Sequence, residues 1–332
     1  MLAALKEIIA AGERRTVPAG FLPYLGGLAL VIISMEAVTG ILLMIYYRPS
    51  AAAAYYSTEI LTDEVLLGWL IRSLHRWGFD LLVLVTLLHV IWVYFSRAYR
   101  APHQPTWALG ICLLVFIFAL GFTGTLLPWD QYGYWYTDSA RRTIANIPLG
   151  NILLALFWGG WDIGEEVLLR FYAVHVGVMP SLVLPLLIAH VLMVWRFGVN
   201  EPAEVPGNPR PRPTPLFPDF LVNMLIAVLL TSGLLLSLAV FFPAPLAEHA
   251  DPLSPLSDPQ PRWYFLPVHE LLRDLPGAAA SLTVIAFFLV LFLVPVIDAK
   301  PVQTTWRSAL QRTLGCLAIA GWVLLGVRAY LR

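Results

Sequence analysis

Seven long runs of apolar residues constrain this chain more than any other feature of its sequence. They cover approximately 22–47, 66–96, 107–127, 168–196, 219–243, 278–297 and 309–330. Each run is near the roughly 20 residues that an α-helix needs to cross the hydrocarbon core of a bilayer. The composition agrees, because 59% of the residues are hydrophobic and only 13% are charged. The pattern predicts an all-α, polytopic bundle of membrane helices.

A polar, proline-rich segment, VNEPAEVPGNPRPRPTPLFP (199–218), separates the first four runs from the last three. This composition is typical of a linker. We therefore predict a four-helix module over 1–200, a linker over 201–218 and a three-helix module over 219–332. The stretch 1–20 has no cleavage signature after a long apolar core, so we expect it to be retained.

Two of the apolar runs each contain a pair of histidines. His75 and His89 are 14 residues apart, and His175 and His190 are 15 apart. A 14-residue step on an α-helix brings the second side chain back within roughly 40° of the first, about 21 Å further along. His75 and His89 therefore face one way on their helix.

Histidines on two facing membrane helices can bind one haem iron between them as axial ligands. Two layers of paired histidines predict two b-type haems, while four hydrogen-bonded core histidines are the alternative interpretation. The longer step between His175 and His190 overshoots to roughly 60°. Pro180 and Pro185 lie between them and can kink the helix enough to absorb the extra residue.

Glycines and arginines near the histidines fit haem binding. Gly26 and Gly40 in the first run are 14 residues apart, as are Gly110 and Gly124 in the third. A residue without a side chain lets a flat macrocycle approach the backbone, although ordinary helix packing at small residues is an alternative. Three arginines lie close in sequence to the first histidine of each pair and could bind haem propionates: Arg72, Arg76 and Arg170.

Two aromatic connections, beginning with PWDQYGYW (128–135) and containing PQPRWYFLPVHELLR (259–273), lie on the same predicted face. Interfacial aromatic belts explain scattered rings, but here one cluster occurs in each module. We interpret them as the lining of a quinone pocket, with Asp130, Tyr134, Trp263 and Phe265 as candidate contacts. At the opposite face, the candidates for a second quinone site are Asp219 and Arg196, with simple interfacial anchoring as the favoured alternative for both.

The basic residues favour a cytoplasmic N-terminus. In that orientation 11 of the 21 Lys and Arg residues lie inside and 10 outside. Without the three arginines assigned to haem propionates, 7 basic residues remain outside against 11 inside. This excess of inner positive charge follows the positive-inside rule. The formal net charge is zero, so a nucleic-acid partner is not indicated.

These motifs resemble the cytochrome b of quinol-oxidising cytochrome bc complexes, and more closely its bf branch from chloroplasts and cyanobacteria. In that branch the two modules are separate polypeptides, so the resemblance implies a fusion here. The 15-residue histidine step is also similar to the bf branch. The resembling stretches are TGILLMIYYRPS (39–50), GWLIRSLHRW (68–77), GFTGTLLPWDQYGYW (121–135), RFYAVH (170–175) and PRWYFLPVHELLR (261–273).

The resemblance implies that His75 and His175 bind an outer haem, and that His89 and His190 bind an inner haem. It implies a quinol:cytochrome c oxidoreductase type of activity, in which one electron of quinol passes to a Rieske iron–sulfur protein and the other crosses the membrane through the haems. A c-type cytochrome, a homodimeric complex of several subunits, and a bacterial cytoplasmic or thylakoid-like membrane are implied too. A non-bifurcating electron conduit that anchors other redox subunits is the alternative, and dihaem anchors of hydrogenase or nitrate-reductase type are more distant.

Two departures from the family pattern alter these expectations. Ile32 stands where the bf branch has the cysteine that tethers an additional c-type haem, so no covalent haem is expected. Arg262 stands where the Pro-Glu-Trp-Tyr motif of the family has its proton-accepting carboxylate. Glu270 and His269 replace a glutamine and a phenylalanine, so we assign them with Arg262 and Tyr264 to the catalytic group, with Glu270 accepting the second quinol proton. Surface residues of a loop that contacts the iron–sulfur partner are the alternative for Glu270 and His269.

Overall fold

Helices make up most of the computed structural model of the chain, which describes residues 16–145, 150–159, 162–199, 213–257, 259–275, 277–298 and 305–331. The N-terminal stretch 1–20 and the linker predicted over 201–218 lie largely outside the described residues, and retention of the N-terminal stretch stays a prediction. Near these gaps, two short strands, β1 (Thr16–Val17) and β2 (Thr214–Pro215), pair antiparallel.

Within the described residues, seven helical segments are long and apolar enough to cross a membrane, which confirms the predicted polytopic all-α fold. The hydrocarbon core of a bilayer offers no water to the backbone, so each N–H and C=O group of a spanning segment must be hydrogen-bonded within the protein. An α-helix satisfies these groups within the segment itself. The helices are α1 Leu25–Tyr46, α2 Ala54–Asp63, α3 Gly68–Ser96, α4 Gln104–Thr125, α5 Gln131–Ala145, α6 Gly150–Leu153, α7 Glu165–Tyr172, α8 Met179–Phe197, α9 Leu221–Phe241, α10 Leu266–Asp274, α11 Gly277–Ile297 and α12 Thr305–Tyr330.

Helix pairing brings the histidine-bearing helices next to the glycine-bearing ones. The glycine-bearing helix α1 packs along α3, and α4 packs along α8. The later helices cover this core: α9 packs on α3, α11 packs on α4, and α12 packs on the short α10. The two apolar runs that carry histidines are thus each paired with one run that carries glycines.

The connection after α4 is helical, although the sequence predicts only an aromatic loop there. Asp130 starts α5, because its Oδ1 accepts the Gly133 N–H at 2.8 Å. Gly133 also allows the tight turn, since a Cβ at that position would lie 2.3 Å from the carbonyl oxygen of Thr125. Residues 133–138 are buried, so α5 packs on the bundle instead of forming an open loop.

A wide helical turn joins α7 to α8 and contains His175. Residues Ala173–Val178 form a π-helical turn, and the Met179 N–H bonds back to the carbonyl oxygen of Val174. A π turn holds one residue more than an α turn. The π turn therefore accommodates the extra residue between His175 and His190. The sequence predicts instead that kinks at Pro180 and Pro185 accommodate it.

Candidate haem-binding site and outer pocket

His75 of α3 and His175 of the π turn face each other across the bundle. Their ring centroids are 6.4 Å apart, and the ring planes are inclined at 80°. An iron bound to one nitrogen of each imidazole would set the ring centres about 6 Å apart, because metal–imidazole bonds are about 2 Å long. The spacing of this outer pair therefore fits axial ligation of one haem iron.

Backbone carbonyl groups of α4 and of its start orient His175 of the π turn and His190 of α8. The Nδ1 atom of His175 lies 3.1 Å from the carbonyl oxygen of Leu120, and Nδ1 of His190 lies 3.0 Å from that of Thr106. When Nδ1 donates a proton to such a carbonyl, Nε2 keeps its lone pair for a metal. Metal-binding histidines usually have this second hydrogen bond.

The Nδ1 atom of His75 has polar neighbours from α1. It lies 3.0 Å from Oγ1 of Thr39 and 3.1 Å from Oε2 of Glu36. For His89, no hydrogen-bond partner of Nδ1 occurs among the described residues. His89 faces Gly26 of α1 and His190 faces Gly110 of α4, so these two histidines form a second, inner level, and their pairing around one iron stays a prediction.

Each of the four glycines at 14-residue intervals faces one of these imidazoles. A Cβ at Gly124 would lie 2.7 Å from Cε1 of His175, closer than real Cβ atoms approach their neighbours. The glycines thus make room for the ring edges of the histidines, in addition to the space that the sequence predicts for a macrocycle. At the other three positions the corresponding distance is 3.3 Å for Gly40 and His75, 3.1 Å for Gly26 and His89, and 3.2 Å for Gly110 and His190.

Two of the arginines assigned to haem propionates have backbone partners in the structure. Arg72 donates to the carbonyl oxygens of Ala244 and Pro245 in the connection after α9. Arg170 donates to the carbonyl oxygen of Ala155 at 2.8 Å. These bonds hold the outer connections against the bundle, and propionate binding by the arginines stays a prediction.

Aromatic rings from four elements form a cluster beside the outer histidine pair. Tyr264 is only 2% exposed, and its ring centroid lies 4.8 Å from that of Phe265 and 5.8 Å from that of Phe79. Burial raises the pKa of Tyr264 above its ordinary value. We call this group the outer aromatic cluster: Phe79, Phe118, Phe122, Tyr136, Tyr264 and Phe265.

Tyr134 lies on a different face of α5 from the outer aromatic cluster. Its ring packs against Trp129 and Trp135, and its hydroxyl lies 3.4 Å from the carbonyl oxygen of Ile163. Tyr136 instead contacts Phe265. The reason is helical spacing, because residues two apart on a helix point in different directions. The sequence predicts the different directions of Tyr134 and Tyr136 only if 131–145 is recognised as a helix.

Asp130 has a local role that the sequence does not predict. Besides starting α5, its Oδ2 accepts the Ala247 N–H at 3.3 Å, so Asp130 joins the two aromatic connections. Burial raises the pKa of Asp130, and its bonds from the Gly133 and Ala247 N–H groups partly oppose this rise. Contact of Asp130 with quinone stays a prediction.

Arg262 forms an ion pair with Asp80, which is 8% exposed on α3. The neighbouring Trp263 donates from Nε1 to Oδ1 of Asp80 at 3.3 Å, and Nε of Arg76 lies 3.8 Å from Oδ2. Asp80 is 182 residues from Arg262 in sequence. Arg262 departs from the family motif, whereas its partner Asp80 belongs to no motif in the sequence.

Glu270 forms an ion pair with the last helix, α12. Its Oε1 lies 2.7 Å from Nε of Arg328, and its side chain has no exposed surface. The prediction of a short helix at this point is confirmed by α10, and His269 is half-buried on it. Full burial rules out the alternative of Glu270 as a surface residue. Its ion pair with Arg328 is a contact that the sequence does not predict.

The inner end of the bundle contains a cavity of about 300 Å³ between α1, β2 and α9. Asn223 donates to the Tyr24 hydroxyl at 3.1 Å in its wall. Asp219 and Arg196 are exposed near this end, with Arg196 over the ring of Phe197, but neither lines the cavity. The lining residues are Gly20, Phe21, Tyr24, Thr214, Asn223 and Ala227.

A bundle of membrane helices with histidines at two levels, and with His75 and His175 facing each other at one of them, is the architecture of a membrane-bound cytochrome. Comparison with known families agrees. A family described as Cytochrome b/b6/petB matches residues 19–198, and one described as Cytochrome b(C-terminal)/b6/petD matches residues 249–331. The chain therefore belongs to the cytochrome b family, and both of its modules occur in one polypeptide.

Similar proteins cover one or both modules. A cytochrome bc complex cytochrome b subunit of Chlorobaculum thiosulfatiphilum is 32% identical over 318 residues, which cover 92% of this chain and 73% of that protein. Cytochrome b6 of Synechococcus sp. (strain CC9605) is 40% identical over 179 residues, or 54% of this chain and 82% of that protein. A chain of a hyperthermophilic respiratory Complex III has the same fold, with a TM-score of 0.81, 22% identity, and coverage of 100% of this chain and 96% of that chain.

Proposed function

We propose that this chain is the dihaem cytochrome b subunit of a bc-type complex, which oxidises quinol and carries electrons across the membrane through two b haems. The observation that carries the proposal is the pairing of four histidines with four glycines at two levels of the bundle. The relative that matches both modules is named as a bc complex subunit.

In this proposal His75 and His175 hold the outer haem iron, and His89 and His190 hold the inner one. Bound haem supplies one-electron redox chemistry. The carbonyl bonds to Nδ1 of His175 and His190 orient their rings and keep Nε2 available for the iron. The two levels are about 21 Å apart along α3, which leaves a short path between macrocycle edges.

Quinol oxidation belongs at the outer aromatic cluster, beside His75 and His175. We assign Trp263, Tyr264 and Phe265 to quinol contacts because they extend from the outer connection toward α3 and α4. The second quinone site belongs at the inner end, close to the cavity that Tyr24 and Asn223 line. The N-terminus is cytoplasmic in this arrangement.

The proposed complex includes a Rieske iron–sulfur protein, a c-type cytochrome and a second copy of the chain. Its b haems are both non-covalent, because Ile32, at the position of the tethering cysteine of the bf branch, is an apolar residue that is 1% exposed in the helix core. Arginine in place of the Pro-Glu-Trp-Tyr carboxylate favours a second candidate function, an electron conduit without bifurcation.

An oxidant pulse separates the two functions. The complex is first equilibrated with quinol, and a one-electron oxidant that reacts with the iron–sulfur partner is then added. In a bifurcating enzyme, oxidation of the partner makes quinol deliver its other electron to the b haems, so the haem absorbance shows further reduction. Haems that are only oxidised by the pulse, in a complex that retains both haems and the iron–sulfur protein, would favour the conduit.

A further inference from the structure

We propose that Asp80 is the proton-accepting carboxylate of the outer quinol site and that Arg262 positions it. The inference rests on the proposed quinol oxidation and adds the residue that receives a proton. Asp80 lies five residues after His75 on α3, and it forms an ion pair with Arg262 of the loop that precedes α10.

Both oxygens of the Asp80 carboxylate have donors from that loop. Arg262 pairs with Oδ2, and Nε1 of Trp263 lies 3.3 Å from Oδ1. The side chain of Arg262 is only 13% exposed. A buried guanidinium needs a carboxylate, and bonds from two consecutive residues fix the direction of that carboxylate.

Asp80 borders the outer aromatic cluster. Its chain neighbour Phe79 contacts the Tyr264 ring, and Tyr264 directly follows the Trp263 that donates to Asp80. A Cβ at Gly121 would contact Phe79 and the Tyr264 hydroxyl, so α4 closes the other side. A quinol against these rings would have its hydroxyl beside the Asp80 carboxylate.

The charges around Asp80 come from four packed elements. Arg76 lies on the same helix, and Arg262 on the loop before α10. The buried carboxyl of Glu36 on α1, which lies 3.1 Å from Nδ1 of His75, and the hydroxyls of Tyr132 on α5 and of Tyr264 are the other titratable groups within electrostatic reach of Asp80. The two guanidinium groups favour the charged form of Asp80, which is the form that can accept a proton from quinol.

The outer site has a cation at Arg262, where the family motif has a carboxylate, and it has a carboxylate at Asp80 beside that cation. A guanidinium stays protonated and cannot accept a proton from quinol. Asp80 supplies a carboxylate from α3 at the same place, and Arg262 becomes its positioning residue. Glu270, the acceptor assigned from sequence, forms its ion pair with Arg328 of α12.

Oxidation of quinol would release two electrons and break two O–H bonds; a haem held by His75 and His175 would accept one electron, and the iron–sulfur partner the other. One proton forms an O–H bond on the Asp80 carboxylate, and the other leaves to solvent on the outer face. Neutral Asp80 then releases its proton to the outer solvent and restores the ion pair with Arg262.

Variants of the full chain in its complex test this role. The rate of outer-haem reduction by quinol is measured by stopped flow as a function of pH. Asp80→Asn is expected to slow reduction by about 100-fold, as loss of a general base does, and Asp80→Glu should retain most of the rate. Arg262→Gln should shift the pH profile upward, because the cation no longer favours the charged carboxylate. Asp138→Asn is the control, since Asp138 is an equally buried acid on α5 with its own arginine partners, Arg141 and Arg142.

The doubly neutral variant Asp80→Asn/Arg262→Gln separates proton transfer from loop docking. It should remain slow, because the carboxylate is absent, while the spectrum of the chemically reduced protein shows two haems. If the double variant reduces the outer haem as fast as the unaltered chain, the proposal is overturned. The Asp80–Arg262 pair would then only hold the loop before α10 against α3. A slow Glu270→Gln with a normal Asp80→Asn would also overturn it. Absence of quinol-driven reduction in the unaltered chain is a different result, which contradicts the proposed function itself.

Discussion

Gly124 of α4 approaches His175 so closely that a Cβ on it would lie 2.7 Å from the imidazole Cε1. The contact is tighter than that of the other three glycines that face histidines. Because His175 is also held by the carbonyl oxygen of Leu120, the ring has little freedom to move away.

Gly124→Ala should therefore displace His175 and reduce occupancy of the outer haem. We expect loss of most of the outer-haem absorbance in a difference spectrum, with the inner haem retained. Gly233→Ala is the matched control, since a Cβ at Gly233 in membrane helix α9 meets no atom within 4 Å. Full outer-haem absorbance in Gly124→Ala would show that the close contact does not position the ligand.

His89→Leu should remove the inner haem and leave the outer one. The leucine keeps an apolar side chain in the bundle but offers no ligand to iron, while His75 and His175 are unchanged. Optical spectra at a series of applied potentials check this result, since the two haems then titrate separately. Simultaneous loss of both haems from a folded chain would contradict the assignment of the pairs.

Asp219→Asn should slow reoxidation of the inner haem by quinone, if this exposed carboxylate delivers protons to the inner site. The reaction is followed optically after the haems are reduced. Asn223→Ala, within the nearby cavity wall, offers a comparison for quinone binding. An unchanged rate in Asp219→Asn would leave this residue as an interfacial anchor.

Asp298→Asn should destabilise the contact between the two modules at the inner face. Asp298 accepts bonds from Arg100 at 2.9 Å and from the Tyr99 hydroxyl at 2.8 Å. Burial raises its pKa, but these partners outweigh burial and the net pKa is below the ordinary value. Because the folded-state pKa is lowered, the stabilisation is present above the unfolded-state pKa and is lost as the pH falls through the folded-state pKa.

Thermal unfolding in detergent measures this effect. We expect a loss of about 1–2 kcal/mol for Asp298→Asn near neutral pH, reduced from the value of a fully buried charged pair because the site is partly solvated. The difference from the unaltered chain should shrink in acid. The exposed Asp251→Asn serves as control, and a difference that grows on acidification would contradict the sign of the pKa shift.

Local periodicity explains why the spans and the two histidine levels were predictable. Hydrophobic run length gives the membrane helices directly, and the 14-residue interval between His75 and His89 depends only on helix geometry. The π turn at His175 could not be predicted in the same way. A kink at a proline and a wide helical turn both accommodate one extra residue between His175 and His190, and the sequence does not distinguish them. The amphipathic helix α5 was hidden by its aromatic composition.

Long-range pairing explains what the sequence does not reveal at the outer site. Arg262 attracts attention as a departure from a family motif, but its partner Asp80 is in another module and follows no motif. Glu270 is two helical turns from Arg262 in sequence, yet the packing of α10 on α12 directs it to Arg328. Only the arrangement of the helices decides which carboxylate faces which cation.

The ratio of haem to polypeptide tests the central claim most directly. The purified chain is extracted with acid acetone, and the extract and residue are both measured as pyridine haemochromes against the protein concentration. Two pairs of facing histidines and a buried Ile32 predict two haems per chain, both of b type and both extracted. A ratio near one, or haem that stays covalently attached to the residue, would contradict the account.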